Sequence, residues 1–162
     1  MPKENKIRKL ATKPLQMKFF MLANLPMGLL AGLKITKIDK SKATVSVPFK
    51  YLNKNPFRSM YFAVMAMAAE LSSGILSLAA LHDVNVPVSM LVLDMQAQFI
   101  KKAKSKIVFS CNDGQKIIDA INKSIQTGDG ETLVVHTEGH DTSGEKVAAF
   151  SFTWTFKPKQ KR

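Results

Sequence analysis

The sequence predicts an α+β fold in which a strongly curved antiparallel sheet wraps around one long central helix. The most apolar run, Tyr61–Leu81, contains a single charged residue and reads as that helix. The predicted elements come in the order helix, two strands, long helix and four strands with a small helical insert. A helix that is apolar all round must be covered on most of its sides, which a curved sheet can do.

The first half of the chain begins with a short helix over 13–25. Its apolar side is formed by Leu15, Phe19, Leu22 and Ala23, and Pro26 ends it. Residues 33–38 and 43–49 alternate as strands around a polar turn and predict a hairpin. After a polar loop, Ser59 is the expected N-cap of the long helix, which should end near Leu81 or His82.

The second half predicts strands at 88–100 and 105–111, a helix over 115–125, and final strands at 132–140 and 145–156. The last strand has the clearest alternation. Its aromatic face is formed by Phe150, Phe152, Trp154 and Phe156. We expect one domain over 13–157 between a basic tail at 1–12 and another at 158–162.

The chain of 162 residues carries a net charge of +12. Besides the two ends, basic residues cluster at Lys101, Lys102, Lys104 and Lys106. This charge is typical of solvated tails, or of attraction to nucleic acid, an anionic membrane, phosphate-bearing cofactors or acidic carriers. No RNA-binding, zinc-module or helix-turn-helix pattern is present, so we do not expect a nucleic-acid partner.

The sequence also indicates the cellular compartment and argues against a disulfide, a membrane span and a metal site. The single cysteine, Cys111, lies in an apolar strand pattern, so we expect a buried inert thiol and no disulfide. No signal-peptide pattern is found, which favours the cytoplasm. We expect no membrane span, since a carboxylate at mid-bilayer costs roughly 2.5 kcal/mol or more. His136 and His140 lie about 13 Å apart on one strand, too far to share an ion, so no metal site is expected.

Glu70 is the most informative residue. It is the only carboxylate between Asp39 and Asp83, and no Lys, Arg or His lies within a helical turn of it. A buried carboxylate without a local partner should have a raised pKa or find a distant hydrogen-bond donor. We interpret it as a functional residue, with a structural glutamate as the alternative.

These features resemble the hotdog-fold acyl-CoA thioesterases, and most closely the phenylacetate-degradation type, within a branch carried as a domain of unknown function. The resemblance covers roughly residues 15–157. It rests on the element order, on the strand 91–95, and on Asn55 and Glu70. In this family an Asn or Gln is followed after five residues by His-Gly-Gly, and an Asp or Glu lies fifteen positions after it. Asn55 and Glu70 keep that spacing.

The resemblance implies a hotdog fold, a homodimer with a dimer of dimers left open, and hydrolysis of acyl-CoA or acyl-carrier thioesters. Coenzyme A (CoA) would enter only as part of the substrate, and no cofactor is implied. Glu70 would be the catalytic acid, Asn55 the amide and the Phe62 N–H an oxyanion donor. Tyr61, Phe62 and Ala63 replace His-Gly-Gly, which is a clear departure. Val92 stands where the family often has a hydroxyl, so nearby Ser89 is a candidate contact.

The spacing of residues along the predicted long helix also limits where a ligand and an oxyanion donor could lie. A stripe of small residues flanks Glu70, formed by Ala63, Ala66, Ser73, Gly74 and Ser77. It fits either helix contact or a slot for a thin ligand, and makes Tyr61, Ala63 and Ser73 candidate substrate contacts. Glu70 lies about 15 Å along its own helix, so an oxyanion donor must come from elsewhere. An antiparallel helix of a partner subunit would supply one, which favours a site built between two subunits.

Three functional hypotheses follow. The first is a thioesterase with Glu70 as general base or nucleophile, and with Lys101 and Lys102 meeting the CoA phosphates. The second is a non-catalytic protein that binds acyl chains or fatty acids, because His-Gly-Gly is missing. The third and weakest is polyanion binding through the basic tails.

Overall fold

A six-stranded, fully antiparallel sheet forms the frame of the protein in a computed structural model that describes residues 5–159. The strands are β1 Lys34–Ile38, β2 Ala43–Val47, β3 Val88–Phe99, β4 Ile107–Cys111, β5 Glu131–His140 and β6 Lys146–Pro158. Their order across the sheet is β1-β2-β4-β5-β6-β3. The predicted strands are confirmed, although β2 and β4 are shorter than expected.

The long helix α4, Phe62–Asp83, lies against the inner face of this sheet and contacts β2, β4, β5 and β6. Alternation along β6 places its aromatic side chains in the core, where Phe150, Phe152 and Phe156 are at most 2% exposed. The predicted α+β architecture, with a sheet curved around a central helix, is confirmed.

Helix α4 is long and apolar enough to span a membrane by length and composition alone. However, 72% of its most apolar window is buried inside the protein. That degree of burial is usual for the core helix of a globular fold, and it agrees with the sequence-based expectation of a core helix.

The start of α4 corrects one prediction. Tyr61, not Ser59, is the N-cap, and no side chain caps the helix. Ser59 is buried and donates its hydroxyl to the Asn55 Oδ1 at 3.2 Å. The polar loop therefore continues to residue 60, where the Met60 N–H bonds the Ala103 carbonyl.

The structure of the N-terminal segment corrects a second prediction. Three helices precede the sheet: α1 Lys6–Ala11, α2 Pro14–Asn24 and α3 Pro26–Ala31. Residues 5–12, predicted as part of a basic tail, are folded onto α4. Asn5 is only 7% exposed and donates to the Ala79 carbonyl at 2.7 Å. Arg8 forms an ion pair with Asp83 at 2.8 Å. These contacts were missed because both partners lie far away in sequence.

The predicted helix at 13–25 is confirmed as α2, but its orientation differs from the prediction. Met17 and Met21 are buried, whereas Leu15, Phe19 and Leu22 are more than half exposed. Pro26 ends α2 and also opens α3, as proline can at the first position of a helix. The C-terminal tail lies mostly outside the described residues, but Lys159 still bonds the Pro87 carbonyl through its N–H.

The helical insert α5, Gly114–Thr127, packs against α4, β5 and β6. It presents the predicted apolar stripe, with Ile117 and Ile121 at most 1% exposed. At the far edge of the sheet, β3 pairs with β6 alone. Every residue from Asp94 to Phe99 on this edge strand is exposed, so its open side is available to another chain.

Candidate functional site

Glu70 lies in the middle of α4, half-buried, at the point where the helix passes β6. Its side chain forms no hydrogen bond or ion pair with any of residues 5–159. Burial without such a partner raises the pKa of the Glu70 carboxyl above its ordinary value. The expectation of a raised pKa is thereby confirmed, and the carboxylate is left available to a molecule outside the chain.

Gly74 makes room for this carboxylate one turn further along α4. A Cβ atom at Gly74 would lie 3.0 Å from the Glu70 Oε1 and 3.7 Å from Cζ2 of Trp154. The position of the carboxylate therefore depends on the absence of a side chain at residue 74. Trp154 is in turn held in place by its Nε1, which donates to the Ser73 hydroxyl at 3.1 Å.

A separate pocket opens at the beginning of α4, with a volume of about 490 Å³. Its walls come from the loop before the helix, the first turn of the helix and the segment that follows β3. Five of the residues predicted from the sequence line it: Asn55, Tyr61, Phe62, Lys101 and Lys102. The structure thus brings together residues that are about forty positions apart in sequence, and we call this cavity the α4 pocket.

Asn55 organises the loop that forms one wall of the α4 pocket. Its Oδ1 accepts hydrogen bonds from the N–H groups of Phe57 at 3.0 Å and Ser59 at 3.1 Å. Its Nδ2 donates to the Met60 carbonyl at 3.2 Å. Together with the bond from the Ser59 hydroxyl, these make four side-chain bonds into one short loop and indicate a positioning role, and one N–H of the amide remains for a ligand.

The first turn of α4 supplies unpaired donors. The N–H groups of Val64 and Met65 bond the Tyr61 carbonyl. Within residues 5–159, the N–H groups of Phe62 and Ala63 have no acceptor. The first N–H groups of a helix carry partial positive charge, so this turn can bind a developing oxyanion. Phe62, where the resemblance placed the oxyanion donor, therefore lies at a suitable end of the helix.

Aromatic side chains give the mouth of the α4 pocket its apolar character. The rings of Tyr61 and Phe62 meet edge to face at 5.0 Å, and Phe62 meets Phe99 at 6.2 Å. All three are between 46% and 52% exposed. Tyr61 consequently lines the pocket without filling it, and the cluster offers an apolar surface beside the free backbone donors.

The two lysines of the pocket differ in their surroundings. The Lys101 ammonium group binds the Glu145 carboxylate and lies 3.9 Å from Asp141. The hydrogen bond to Glu145 raises the pKa of Lys101. Lys102 is exposed at the rim. Lys102 is therefore the better placed of the two to meet an anionic group that approaches from solvent.

Two of the predicted substrate contacts, Ser73 and Ser89, lie outside the α4 pocket. Ser73 is fully buried, accepts from Trp154 and donates to the Glu70 carbonyl at 3.0 Å, so it supports the helix and does not face a ligand. Ser89 lies near the start of β3, where its hydroxyl donates to the Lys157 carbonyl at 3.0 Å. Phe99, which forms part of the pocket wall, lies ten residues further along the same strand, at about 33 Å from Ser89. Ser89 is therefore too far away to contact a ligand in the α4 pocket.

Glu70 and the α4 pocket of one chain do not meet. Glu70 follows Phe62 by eight residues, which corresponds to about 12 Å along the helix. Neither Glu70 nor the predicted substrate contact Ala63 lines the pocket, although Ala63 is partly exposed one residue beyond Phe62. A single chain therefore provides a carboxylate and an anion-binding helix end at two separate places.

Several residues of this site were missed from the sequence. Phe99 and Ile100 close the α4 pocket from β3, which only the curvature of the sheet brings near α4. Arg58 adopts φ 59°, a left-handed conformation that is uncommon without glycine, in the Asn55 loop. Asn53 is 1% exposed, and its Nδ2 donates to the carbonyls of Ala31 and Pro48. For Asn53, the only sequence feature that could have drawn attention to it is an asparagine next to a polar loop.

Metal binding and thiol chemistry find no support near Glu70. Within residues 5–159, no group of three His, Cys, Asp or Glu side chains could hold an ion. Cys111 is 0% exposed, and burial raises the pKa of its thiol to about 11. The prediction of a buried and inert thiol is confirmed.

The architecture defines the class to which this protein belongs: a hotdog fold of the kind found in thioesterases. One solved structure with this fold is a protein of unknown function from Pseudomonas aeruginosa that is described as a probable thioesterase. It is 20% identical to this chain, with a TM-score of 0.75 over 98% of this chain and 99% of that one. The chain itself belongs to the family described as a domain of unknown function, DUF4442, which matches residues 15–156.

Two further solved structures have the same fold. A thioesterase from Haemophilus influenzae is 15% identical, with a TM-score of 0.65 over 88% of this chain and 90% of that one. A thioesterase from Staphylococcus aureus is 15% identical, with a TM-score of 0.61 over 82% of this chain and 99% of that one. That protein has been studied as variants at a glutamine and at a glutamate fifteen positions later. No curated protein matches this chain.

Proposed function

We propose that this protein hydrolyses acyl thioesters, with Glu70 as the general base. One observation carries the proposal. Among residues 5–159, the half-buried Glu70 carboxylate has a raised pKa and no partner, and it lies on the helix whose first turn presents N–H groups without acceptors in that range. A general base and an oxyanion site are the two elements that acyl transfer to water requires. The thioesterase-like fold supports the same reaction class.

In the proposed reaction Glu70 removes a proton from water as the water oxygen bonds the thioester carbonyl carbon. The negative charge that forms on the carbonyl oxygen is stabilised by the N–H groups of Phe62 and Ala63. The C–S bond then breaks, the thiolate leaves, and the proton held by Glu70 passes to it. The acid product retains one oxygen from water. If Glu70 acts instead as a nucleophile, its oxygen bonds the carbonyl carbon while the C–S bond breaks and the thiolate leaves with a proton from solvent. Water then hydrolyses the resulting anhydride, which releases the acid and restores the Glu70 carboxylate.

We infer that two chains build each site. Glu70 is about 12 Å from the N–H groups of its own helix, too far for both to act on one carbonyl. An antiparallel partner helix would bring its own Phe62 towards Glu70. The open edge of β3 supports such pairing: it exposes Leu91 and Leu93 by 60% and 54%, and edge strands of this kind pair with another chain. We propose a homodimer, with a dimer of dimers left open.

The substrate that fits the pocket is an acyl-CoA or an acyl carrier, handled in the cytoplasm. Tyr61, Phe62 and Phe99 offer an apolar surface to the acyl group, and Lys102 offers a cation to a phosphate. In the Staphylococcus aureus thioesterase, the altered glutamine and glutamate have the same spacing as Asn55 and Glu70. This correspondence supports these two residues as the functional pair, within the phenylacetate-degradation type.

A panel of acyl-CoA substrates with a thiol-detecting dye tests the proposal. We expect turnover in the wild-type protein and a loss of about 10²-fold or more in Glu70→Gln, as for removal of a general base. Glu131→Gln is the matched control, because Glu131 is bound to Lys123 at 3.0 Å and lies on a strand. Unchanged turnover in Glu70→Gln, or no turnover by the wild type across the panel, would contradict the proposal.

A non-catalytic acyl-binding protein is the second candidate. It is favoured by Tyr61, Phe62 and Ala63, which replace the His-Gly-Gly of the resembling thioesterases and place a side chain at each position. Native mass spectrometry of the purified protein distinguishes the two. A retained acyl ligand together with absent turnover would establish binding alone.

A further inference from the structure

The N-terminal helices carry apolar side chains on the outside of the protein. We call this set the N-terminal apolar surface: Leu15 is 67% exposed, Phe19 65%, Leu22 59%, Met27 60% and Leu30 55%. Three of them belong to α2 and two to α3. Scattered apolar side chains are normal on a protein surface, but five large ones within sixteen consecutive residues form an unusual concentration.

This exposure follows from the way in which α2 packs. Leu15, Phe19 and Leu22 recur at i, i+4 and i+7 and so share one side of the helix. The opposite side already packs on the protein through Met17, at 5% exposure, and Met21, at 2%. Helix α2 is therefore apolar on two sides, and the protein core can cover only one of them.

The segment that carries this surface is basic. From Asn5 to Ile38 the sequence contains no Asp and no Glu. The basic residues of the same segment are Lys6, Arg8, Lys9, Lys13, Lys18, Lys34 and Lys37. Arg8 is bound to Asp83, and Lys37 lies 3.9 Å from Asp39. Lys13 and Lys18 are exposed at the N-cap and within α2. The apolar side chains of α2 are thus accompanied by two exposed cations, Lys13 and Lys18.

Charge decides between the possible partners of this surface. A second copy related by two-fold symmetry would bring the same lysines face to face, in a protein whose net charge is +12. An anionic lipid surface has the complementary charge, and its acyl chains accept apolar side chains. The exposed side of α2 carries aliphatic and aromatic side chains, and the exposed Lys13 and Lys18 belong to the same helix and its N-cap, a combination that the membrane interface can accept.

We propose that the N-terminal apolar surface docks this protein onto anionic phospholipid membranes. Leu15, Phe19 and Leu22 enter the boundary between headgroups and acyl chains, while Lys13 and Lys18 contact lipid phosphates. The protein binds to one face of the bilayer and does not cross it. This inference is independent of thioester hydrolysis, since none of these residues lines the α4 pocket or contacts Glu70.

Flotation with two kinds of vesicle tests the proposal: phosphatidylcholine alone, and phosphatidylcholine mixed with an equal amount of phosphatidylglycerol. The wild-type protein should float with the mixed vesicles, and raising the salt concentration should weaken binding. The triple variant Leu15→Ser, Phe19→Ser, Leu22→Ser should bind at least about tenfold more weakly, because it removes the apolar contribution. Lys13→Gln with Lys18→Gln should lose binding and much of its salt dependence.

Matched controls separate a docking surface from general effects. Lys157→Gln with Lys159→Gln removes the same two charges at the end of β6 and should keep most of the binding. Val134→Ser removes an exposed apolar side chain, 47% exposed, from the sheet and should bind as the wild type does. Circular dichroism confirms that each variant is folded.

Three results would overturn the proposal. The wild type could fail to float with the mixed vesicles, or the triple variant could float as well as the wild type. The triple variant could also have a lower molecular mass than the wild type in light scattering. This last result would make the N-terminal apolar surface an interface between copies of the chain.

Discussion

At the scale of single residues, Glu70 combines a cost to stability with the proposed function. Burial without a partner among residues 5–159 raises its pKa, so the folded protein holds the proton more tightly than the unfolded chain does. The stabilising effect of that proton is fully present below the unfolded pKa of about 4.3 and is lost as the pH rises through the folded pKa. Raising the pH from about 4 towards neutrality therefore removes stability through this residue.

Glu70→Gln should consequently be more stable than the wild type at pH 7, while the difference should shrink towards pH 4. The neutral amide fills the same space without the cost of burying a charge. Urea unfolding measured at both pH values checks this. A variant that is less stable than the wild type at pH 7 would show that the carboxylate has a stabilising partner in the assembled protein.

Gly74→Ala should separate stability from activity. Alanine in a helix interior stabilises by roughly 0.5–1 kcal/mol relative to glycine. The new Cβ, 3.0 Å from the Glu70 Oε1, forces the carboxylate to move by a few tenths of an ångström. We expect a higher melting temperature together with a fall in kcat/KM of up to about tenfold. Equal or higher activity would show that the position of the carboxylate is not critical.

At the scale of elements, strand and helix positions were predictable because each has a clear repeat. The alternation in β6 and the stripe in α5 identify their buried faces. The sequence did not reveal which side of α2 is buried, because both sides are apolar and only tertiary packing selects Met17 and Met21. It also missed α1, whose anchoring bonds from Asn5 and Arg8 reach Asp83, far along the chain.

Gly114 should be essential for the junction between α5 and the first hairpin. Its N–H bonds the Ser41 carbonyl at 3.0 Å, and a Cβ there would lie 2.2 Å from the Lys40 carbonyl oxygen. Gly114→Ala should reduce the free energy of unfolding by about 3 kcal/mol, since only backbone movement can relieve the overlap. Urea denaturation measures the loss.

Gly130→Ala is the control for that variant. Its Cβ would meet the Lys157 side chain at 3.8 Å, an ordinary contact, so we expect a change of less than about 0.5 kcal/mol. Similar losses in the two variants would mean that loss of glycine itself is responsible, and the junction would not be specially tight.

At the scale of the whole molecule, the sequence predicted the α4 pocket in part. Spacing along the chain and a family resemblance pointed to Asn55, Tyr61 and Phe62, which do line it. Phe99 was not predictable, because it reaches the pocket only through the path of the sheet. Ser73 was placed on the correct helix stripe, but the Trp154 indole covers it, and no helical pattern contains that information.

Complementation between two inactive variants tests the central claim that two chains share the site. Glu70→Gln and Asn55→Ala should each be poor catalysts on their own. In a mixed dimer, one site has both residues intact and the other has neither. Random mixing makes half of the dimers mixed, so we expect about a quarter of wild-type activity per site. Co-expression with two affinity tags demonstrates that mixed dimers form. If tagged mixed dimers are purified and remain inactive, Glu70 and Asn55 do not act across the subunit interface.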